Sequence, residues 1–362
     1  MMTVIGLMSG TSMDGVDLAV LSTDGEALGG FGPTRFCPYS EAEKAVLRAG
    51  LDVARTLTDR TARPGVLAEA EKIVTDAHAE AIEETLRANP DLKPDLVGFH
   101  GQTVFHAPHR GITVQIGDGP ALAARVGLPV VYDFRAADVA AGGGGAPFVP
   151  VYHRALVARA GLKGDVAVVN IGGVANITRI GADGALVAGD TGPGNALIDD
   201  FVRTRTGAAI DRGGMLAARG TVDELALSAL MADPWFDEPF PKSLDRNAFA
   251  PNPVALLSDA DGAATLTAFT ASTVAAGIAG AGGADTIIVV GGGAHNPTIL
   301  AMLAEAVGRP VRKGADLGWD GDFVEAQAFA YLAVRSLAGL PLSYPETTGV
   351  SRPMPGGVVA RP

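Results

Sequence analysis

The chain has 362 residues, with 28 Lys and Arg against 40 Asp and Glu, a formal charge of −12, and 48 glycines. That balance excludes a general nucleic-acid binder or a protein held on anionic lipid, because both need a positive field to neutralise phosphate. Small-molecule chemistry is what remains, and at this length one hydrophobic core normally gives way to two, so two lobes are expected.

A single cysteine, Cys37, excludes an intramolecular disulfide framework, and Met1 to Gly10 lacks the basic start and apolar run of a signal peptide. A cytoplasmic location is expected. In chain order, Thr3 to Leu7 and Val16 to Leu21 read as strands joined by the polar loop Met8 to Gly15, with an Asp24-Gly25 turn after them. Ser40 to Gly50 and Pro64 to Ala88 have the periodicity of helices; the second places Val66, Ala70, Ile73, Ala77 and Ala81 on one face. Leu96 to Phe99, Thr113 to Ile116 and Pro129 to Phe134 read as short strands, with a helix at Pro120 to Val126.

Four consecutive glycines, Gly142 to Gly145, then mark the expected boundary. They serve either as a hinge or as backbone that approaches a ligand closely. Beyond them the opening pattern returns: Val166 to Ile171, a Gly172-Gly173 loop, Val174 to Ile180, an Asp183-Gly184 turn and a strand at Leu186 to Val187. Helices follow at Ala196 to Thr206, Val222 to Met231 and Leu266 to Ile278, then the strand Thr286 to Val290 and helices at Asn296 to Val307 and Phe323 to Leu337. The expected domains are 1–145 and 146–362, each of βββαβα type, with the last helix able to pack back on the first lobe. Gly262 to Ala284 carries no charge, but its Ala, Gly and Thr content suits a closely packed core helix rather than a membrane span, and no membrane association is expected.

The polar loops carry the chemistry. Gly10-Thr11-Ser12-Met13-Asp14-Gly15-Val16-Asp17 matches the front of a P-loop, yet Val16-Asp17 stands where Lys-Ser/Thr belongs and a strand follows, so a Walker-type NTPase is not expected. A hairpin tip offering N–H groups, hydroxyls and a carboxylate can still hold a Mg²⁺-bound triphosphate; the plain alternative is a polar turn. Asn170-Ile171-Gly172-Gly173-Val174-Ala175-Asn176 occupies the matching place in the second half, and Gly291-Gly292-Gly293-Ala294-His295-Asn296 opens a helix after a strand. Asp190, in Gly189-Asp190-Thr191-Gly192-Pro193-Gly194-Asn195, is placed either as a general base or as a helix N-cap. His100-Gly101-Gln102-Thr103, with His106 and His109, reads as the polar lining of a site, since no HExxH or CxxC accompanies it. Arg135, flanked by Asp133 and Asp138, binds either a substrate carboxylate or a neighbouring Asp.

Gly6 to Gly15, His100 to Thr103, Gln115-Ile116-Gly117-Asp118, Asp133-Phe134-Arg135, Asn170 to Asn176, Asp190 to Asn195 and Gly291 to Asn296 occur in one order along nearly the whole chain. In this combination the sequence resembles the anhydro-N-acetylmuramic acid kinases, bacterial members of the actin-like, hexokinase-like ATPase superfamily. The resemblance implies an α/β fold of two ribonuclease H-like lobes around a cleft that takes ATP, Mg²⁺ and 1,6-anhydro-N-acetylmuramic acid, in a homodimer. It implies that water opens the anhydro bridge while O6 takes the γ-phosphoryl group, giving N-acetylmuramic acid 6-phosphate in cell-wall recycling. Carried over, Asp190 is the base. Gly10, Thr11, Ser12, Met13, Asp14, Gly15, Val16, Asp17, Asn170, Gly172, Gly173, Gly192, Gly194, Asn195, Gly292, Gly293 and Asn296 form the nucleotide side. Arg135 takes the lactyl carboxylate, with His100, Thr103 and Glu325 as further sugar contacts. Two segments depart from the family pattern: Gly144 stands where Gln is frequent, and Lys242-Ser243-Leu244-Asp245-Arg246-Asn247 replaces Lys-Ser-Thr-Gly-Arg-Glu. Two other readings stay open at this point, a sugar kinase of the same superfamily without ring opening and a non-catalytic ATP-binding module.

Overall fold

The computed structural model describes residues 1–362 and divides by its contacts into two compact units, Met1–Arg159 with Asp322–Pro362, and Ala160–Gly321. The first segment runs β1 (Met2–Ser9), β2 (Gly15–Thr23), β3 (Leu28–Pro38), α1 (Glu41–Ala54), α2 (Val66–Ala88), β4 (Leu96–Ala107), β5 (Ile112–Ile116), α3 (Gly119–Val126), β6 (Val130–Tyr132), α4 (Ala136–Ala140) and α5 (Val149–Arg159). The second unit holds β7 (Val166–Ile171), β8 (Val174–Ile180), β9 (Leu186–Pro193), α6 (Asn195–Thr206), α7 (Glu224–Met231), α8 (Asp259–Gly280), β10 (Thr286–Val290), α9 (Pro297–Ala306) and β11 (Arg312–Lys313). The chain then returns to the first unit with α10 (Val324–Leu337), α11 (Pro345–Thr348) and β12 (Val358–Ala360).

Both sheets are built alike. In the first, β1, β2 and β3 form an antiparallel meander, β4 lies parallel to β1 and β6 parallel to β4, giving the order β3-β2-β1-β4-β6 with β12 added at the edge and β5 paired to β4. In the second, β7, β8 and β9 form the meander, and β10 and β11 add in parallel on the other side. The shared order, third-second-first-fourth-fifth, is the ribonuclease H-like arrangement expected of each lobe, and it makes the architectural repeat explicit.

In the first unit the apolar face of α2 and the buried side of α1 cover one side of the sheet through Leu47, Leu67, Val74 and Ile82. The helix α10 covers the other side and comes close, because the strands beneath it have no side chain in the way. A Cβ added at Gly6 would lie 1.9 Å from the Ala326 carbonyl oxygen, and one at Gly98 would lie 2.1 Å from that of Phe329. Gly6, part of the opening motif, is thus explained by helix-on-sheet packing. In the second unit α8 is the central helix; Phe269, Val274 and Leu266 pack with Phe201, Ile177 and Leu303. It is long and apolar enough to cross a membrane by length and composition, and 72 % of its most apolar stretch is buried inside the protein.

Two expectations about organisation change. Residues 146–159, expected with the second lobe, group with the first, and so does the whole of 322–362 rather than only the last helix, which the sequence already allows to pack back there; α5 packs on α10, with Tyr152 donating to Gln327 Oε1 at 2.8 Å and its ring meeting that of Tyr331. The glycine run is also tied down rather than free. Gly144 N–H donates to the Thr348 carbonyl at 2.6 Å, and Gly145 N–H donates to Asp138 Oδ1, also at 2.6 Å. The buried Asp138 carboxylate in turn accepts from the hydroxyls of Ser343 and Thr348, which fastens the segment after α10 to this joint.

Candidate active site

In the first unit the site starts from an irregularity in β4. Pairing with β1 runs Leu7 to Phe99 and then Ser9 to Gln102, so β4 carries one extra residue at His100-Gly101. Such a bulge re-aims the side chains on either side of it. Gly101 sits at φ +69°, where glycine is strongly favoured, and a Cβ there would also strike the Ile116 carbonyl at 2.4 Å.

His100 is buried and makes its Nδ1 contact with the Gly101 carbonyl at 2.8 Å. A carbonyl only accepts, so Nδ1 carries the proton and Nε2 presents a lone pair. That lone pair is shared by two N–H groups of Arg135, from Nε at 3.2 Å and Nη2 at 3.1 Å, while Nη1 donates to the Gly145 carbonyl at 2.7 Å. Burial, followed by the Arg135 charge, holds the His100 pKa well below its ordinary value, which keeps the ring neutral and able to accept. Arg135 forms no salt bridge: Asp133 is clamped by Arg60 at 2.6 and 3.1 Å, and Asp138 serves the hydroxyls above. After three bonds the guanidinium retains one N–H on each terminal nitrogen, the fork that a carboxylate needs.

The loop between β1 and β2 presents Thr11, Ser12 and Asp14 to solvent and buries Met13. Val16 points into the core, whereas Asp17 is half-buried and its carboxyl is pushed up to about 6 by burial and then by the like charges of Glu325, Asp322 and Asp14. Neither Asp14 nor Asp17 has a Lys or Arg within ion-pair distance. Water reaches the side chain of Glu325, yet the protein around it raises its carboxyl, with Arg135 pulling the other way. The Thr103 hydroxyl accepts from Gln115 Nε2 at 3.3 Å, tying β4 to β5. A cavity of about 240 Å³ adjoins His100 and Gly101, walled by the Arg60–Asp133 pair, Glu71 and Gln115.

In the second unit, register places Asn170, Asn176 and Asp190 directly opposite one another on β7, β8 and β9. Directly paired residues share a face, so the three polar side chains form one row on the sheet, opposite the core face of Val169 and Ile171. Asp190 is not a helix cap: α6 begins five residues later with Gly194 at its N-cap. Its N–H donates to the Lys242 carbonyl at 2.9 Å, and its Oδ2 accepts from the Leu244 N–H at 2.7 Å. Burial pushes this carboxyl up to about 6, against the lowering pull of the Leu244 N–H. The segment from Lys242 therefore flanks β9 and fixes the carboxylate, and Lys242 itself is held by the Trp235 and Phe236 carbonyls at 3.0 and 2.7 Å, with its ammonium over the Trp235 ring.

The remaining glycines and asparagines of this unit are largely engaged within the fold. The N–H groups of Gly194, Asn195 and Ala196 donate to the carbonyls of Gly173, Gly172 and Gly173, at 3.0, 2.7 and 3.2 Å. The hairpin tip thereby caps the start of α6, which leaves those three donors unavailable to a phosphate. Asn195 Nδ2 donates to the Ile171 carbonyl, Gly192 packs against Thr273 of α8, and Gly293 lies against Ile171. Asn296 is the N-cap of α9, its oxygen accepting from Thr298 and Ile299 N–H. Gly173 and Gly292 are exposed, and Asn170 is half-buried beside Gly291. Asn176 and Gln102 belong to motifs read from sequence only as a whole, one as a phosphate-approaching loop and one as polar lining; strand pairing is the signal that singles them out individually.

The family model described as anhydro-N-acetylmuramic acid kinase matches residues 2–361. A protein of that name from Rhodopseudomonas palustris is 55 % identical over 374 residues, covering 100 % of both chains. One from Bradyrhizobium diazoefficiens is 54 % identical over 367 residues, again covering 100 % of both. Among solved structures, (R)-2-hydroxyglutaryl-CoA dehydratase component A from Acidaminococcus fermentans aligns with a TM-score of 0.47 and 14 % identity over 93 % of this chain and 100 % of that one. The strand order, not that alignment, is the ground for the fold. On its full-length match, the chain belongs to the anhydro-N-acetylmuramic acid kinase family.

Proposed function

We propose that the protein converts 1,6-anhydro-N-acetylmuramic acid, ATP and water into N-acetylmuramic acid 6-phosphate and ADP, within peptidoglycan recycling. The observation that carries this reading is the family match, which runs from residue 2 to 361. The residue roles that follow are those the family resemblance implies, and the local geometry of each side chain is what supports them.

Asp190 is the base. It takes a proton from water, the hydroxide oxygen bonds to C1 of the sugar, the C1–O6 bond breaks, and O6 forms its new bond to the γ-phosphorus as ADP leaves. A carboxyl near 6 is ionised at neutral pH while still basic enough to accept a proton, and the Leu244 N–H fixes its orientation. Arg135 binds the lactyl carboxylate through its two uncommitted N–H groups, oriented by neutral His100. Glu325 and the exposed hydroxyls of Thr11 and Ser12 complete the polar surroundings in the first unit.

The loop from Gly10 to Asp17 holds the phosphates, and its residues fit a magnesium ion brought in with ATP. Asp17 and Asp14 are carboxylates without a cationic partner, crowded by like charge, and Mg²⁺ is typically held by one or two carboxylates plus phosphate oxygens and water. Bound there, the ion would neutralise charge on the transferring phosphoryl group. A homodimer and a cytoplasmic location remain part of this proposal, supported by the family resemblance and by the absence of any second cysteine for Cys37 to pair with inside the chain. Sugar-dependent ADP release in a coupled assay tests the reading; ADP release that requires a different sugar, or none, contradicts it.

A further inference from the structure

Gln102 is 0 % exposed, and its amide closes a hydrogen-bonded chain around the start of the β1–β2 loop. Ser9 Oγ donates to Gln102 Oε1 at 2.6 Å, and Gln102 Nε2 donates to the Gly10 carbonyl at 3.0 Å. The Tyr39 hydroxyl lies 3.2 Å from Ser9 Oγ; since Ser9 already gives its proton to Gln102, Tyr39 is the donor there. Burial raises the Tyr39 pKa, so that proton stays in place. Tyr39 also secures the far end of the loop, its N–H donating to the Asp14 carbonyl at 2.9 Å. Between these anchors the Met13 N–H closes a turn onto Gly10 at 3.0 Å, with Met13 at φ +55°, a conformation that side-chain-bearing residues rarely adopt. The surrounding bonds must over-determine such a turn for it to persist.

A buried amide contributes little to the sheet that an apolar residue could not, because its gain comes only from pairing groups that would otherwise be desolvated. What Gln102 does that Leu cannot is hold Ser9 and Gly10 at once. The bulge that turns Gln102 toward Gly10 is the same one that sets His100 against Arg135. We propose that Gln102 is a positioning residue for nucleotide binding: through Ser9 and Gly10 it fixes the shape of the phosphate loop, while His100, two residues earlier on the same strand, positions the sugar-carboxylate fork. This rests on the reading of Gly10 to Asp17 as the phosphate loop.

The test measures dissociation constants for Mg²⁺-ADP and for the anhydro sugar separately, with ATP and sugar KM values alongside, on Gln102→Leu, Ser9→Ala and Gly10→Val. Gln102→Leu is expected to weaken ADP by about tenfold, with ATP KM rising in parallel and sugar affinity within about twofold of wild type. Ser9→Ala, which removes one side of the same chain, is expected to shift ADP in the same direction by less, and it carries the test should Gln102→Leu not fold. ADP affinity within twofold of wild type in both folded variants overturns the inference, and so does an equal loss of ADP and sugar, which marks a general structural role. Gly10→Val reports on the loop itself. If it weakens ADP while Gln102→Leu does not, only the inference falls; if neither does, the phosphate-loop reading falls with it.

Discussion

The two units share a strand order but use their first hairpins in opposite ways. In the first unit the β1–β2 tip is anchored at its ends by Gln102 and Tyr39 and leaves Thr11, Ser12 and Asp14 open to solvent. In the second the β7–β8 tip turns inward, its two glycine carbonyls taking the first N–H groups of α6. Repetition of an architecture is therefore a poor guide to repetition of a role. The second hairpin caps α6 through its glycine carbonyls, and the carboxylate we propose as the base, Asp190, sits one strand over.

That contrast can be broken most severely at Asp190. Asp190→Asn should lower kcat by about 10²–10⁴-fold while ADP affinity, whose phosphate contacts we place on the Gly10 to Asp17 loop, stays within about twofold; near-normal turnover would remove Asp190 as the base. Arg135→Ala should raise the sugar KM by about tenfold or more with little change in the ATP KM. An equal change in both would make Arg135 a structural tie between His100 and Gly145. The hairpins themselves can be compared by adding one methyl group to each. A Cβ at Gly194 would lie 2.3 Å from the Gly172 carbonyl, whereas at Gly10 the nearest atom is 3.8 Å away. Gly194→Ala should cost about 1–3 kcal/mol and lower Tm accordingly, and Gly10→Ala should leave Tm within about 1 °C. Equal Tm values for the two variants would contradict the inward docking of the second tip.

The smallest effect concerns pH. Because the Asp190 carboxyl is raised to about 6, it gains a proton as pH falls through that value. kcat should then fall by about tenfold per pH unit on the acid side and level off above about pH 7. A profile flat down to pH 5 would argue against this carboxylate as the base.

Much of this was legible in the sequence because it is local. The alternating apolar runs of β1, β2, β7 and β8 and the long amphipathic α2 appear near their expected limits. The edge strand β3 was not placed, since Gly29, Gly30, Gly32 and Pro33 all disfavour a strand by composition. The helix α8 begins at Asp259, earlier than the expected Leu266, with Ser258 as its cap; Asp259 and Asp261 look like loop residues but suit the positive end of a helix. β4 extends well past Phe99 because a bulge, invisible to periodicity, lets the strand continue through Gly101. At the site, Asp190 and Arg135 could be named from their motifs. The contact of Asp190 with Leu244 and that of Gln102 with Gly10 join residues far apart in the chain, which only the folded pairing reveals.

The measurement that tests the central claim most directly is the mass of the sugar product formed with ATP and Mg²⁺, from wild type and Asp190→Asn side by side. The account predicts that wild type yields a sugar heavier than the anhydro substrate by one phosphoryl group and one water, and that the variant yields almost none. A product that gains a phosphoryl group without water, or an Asp190→Asn enzyme that makes the same product at a similar rate, would contradict it.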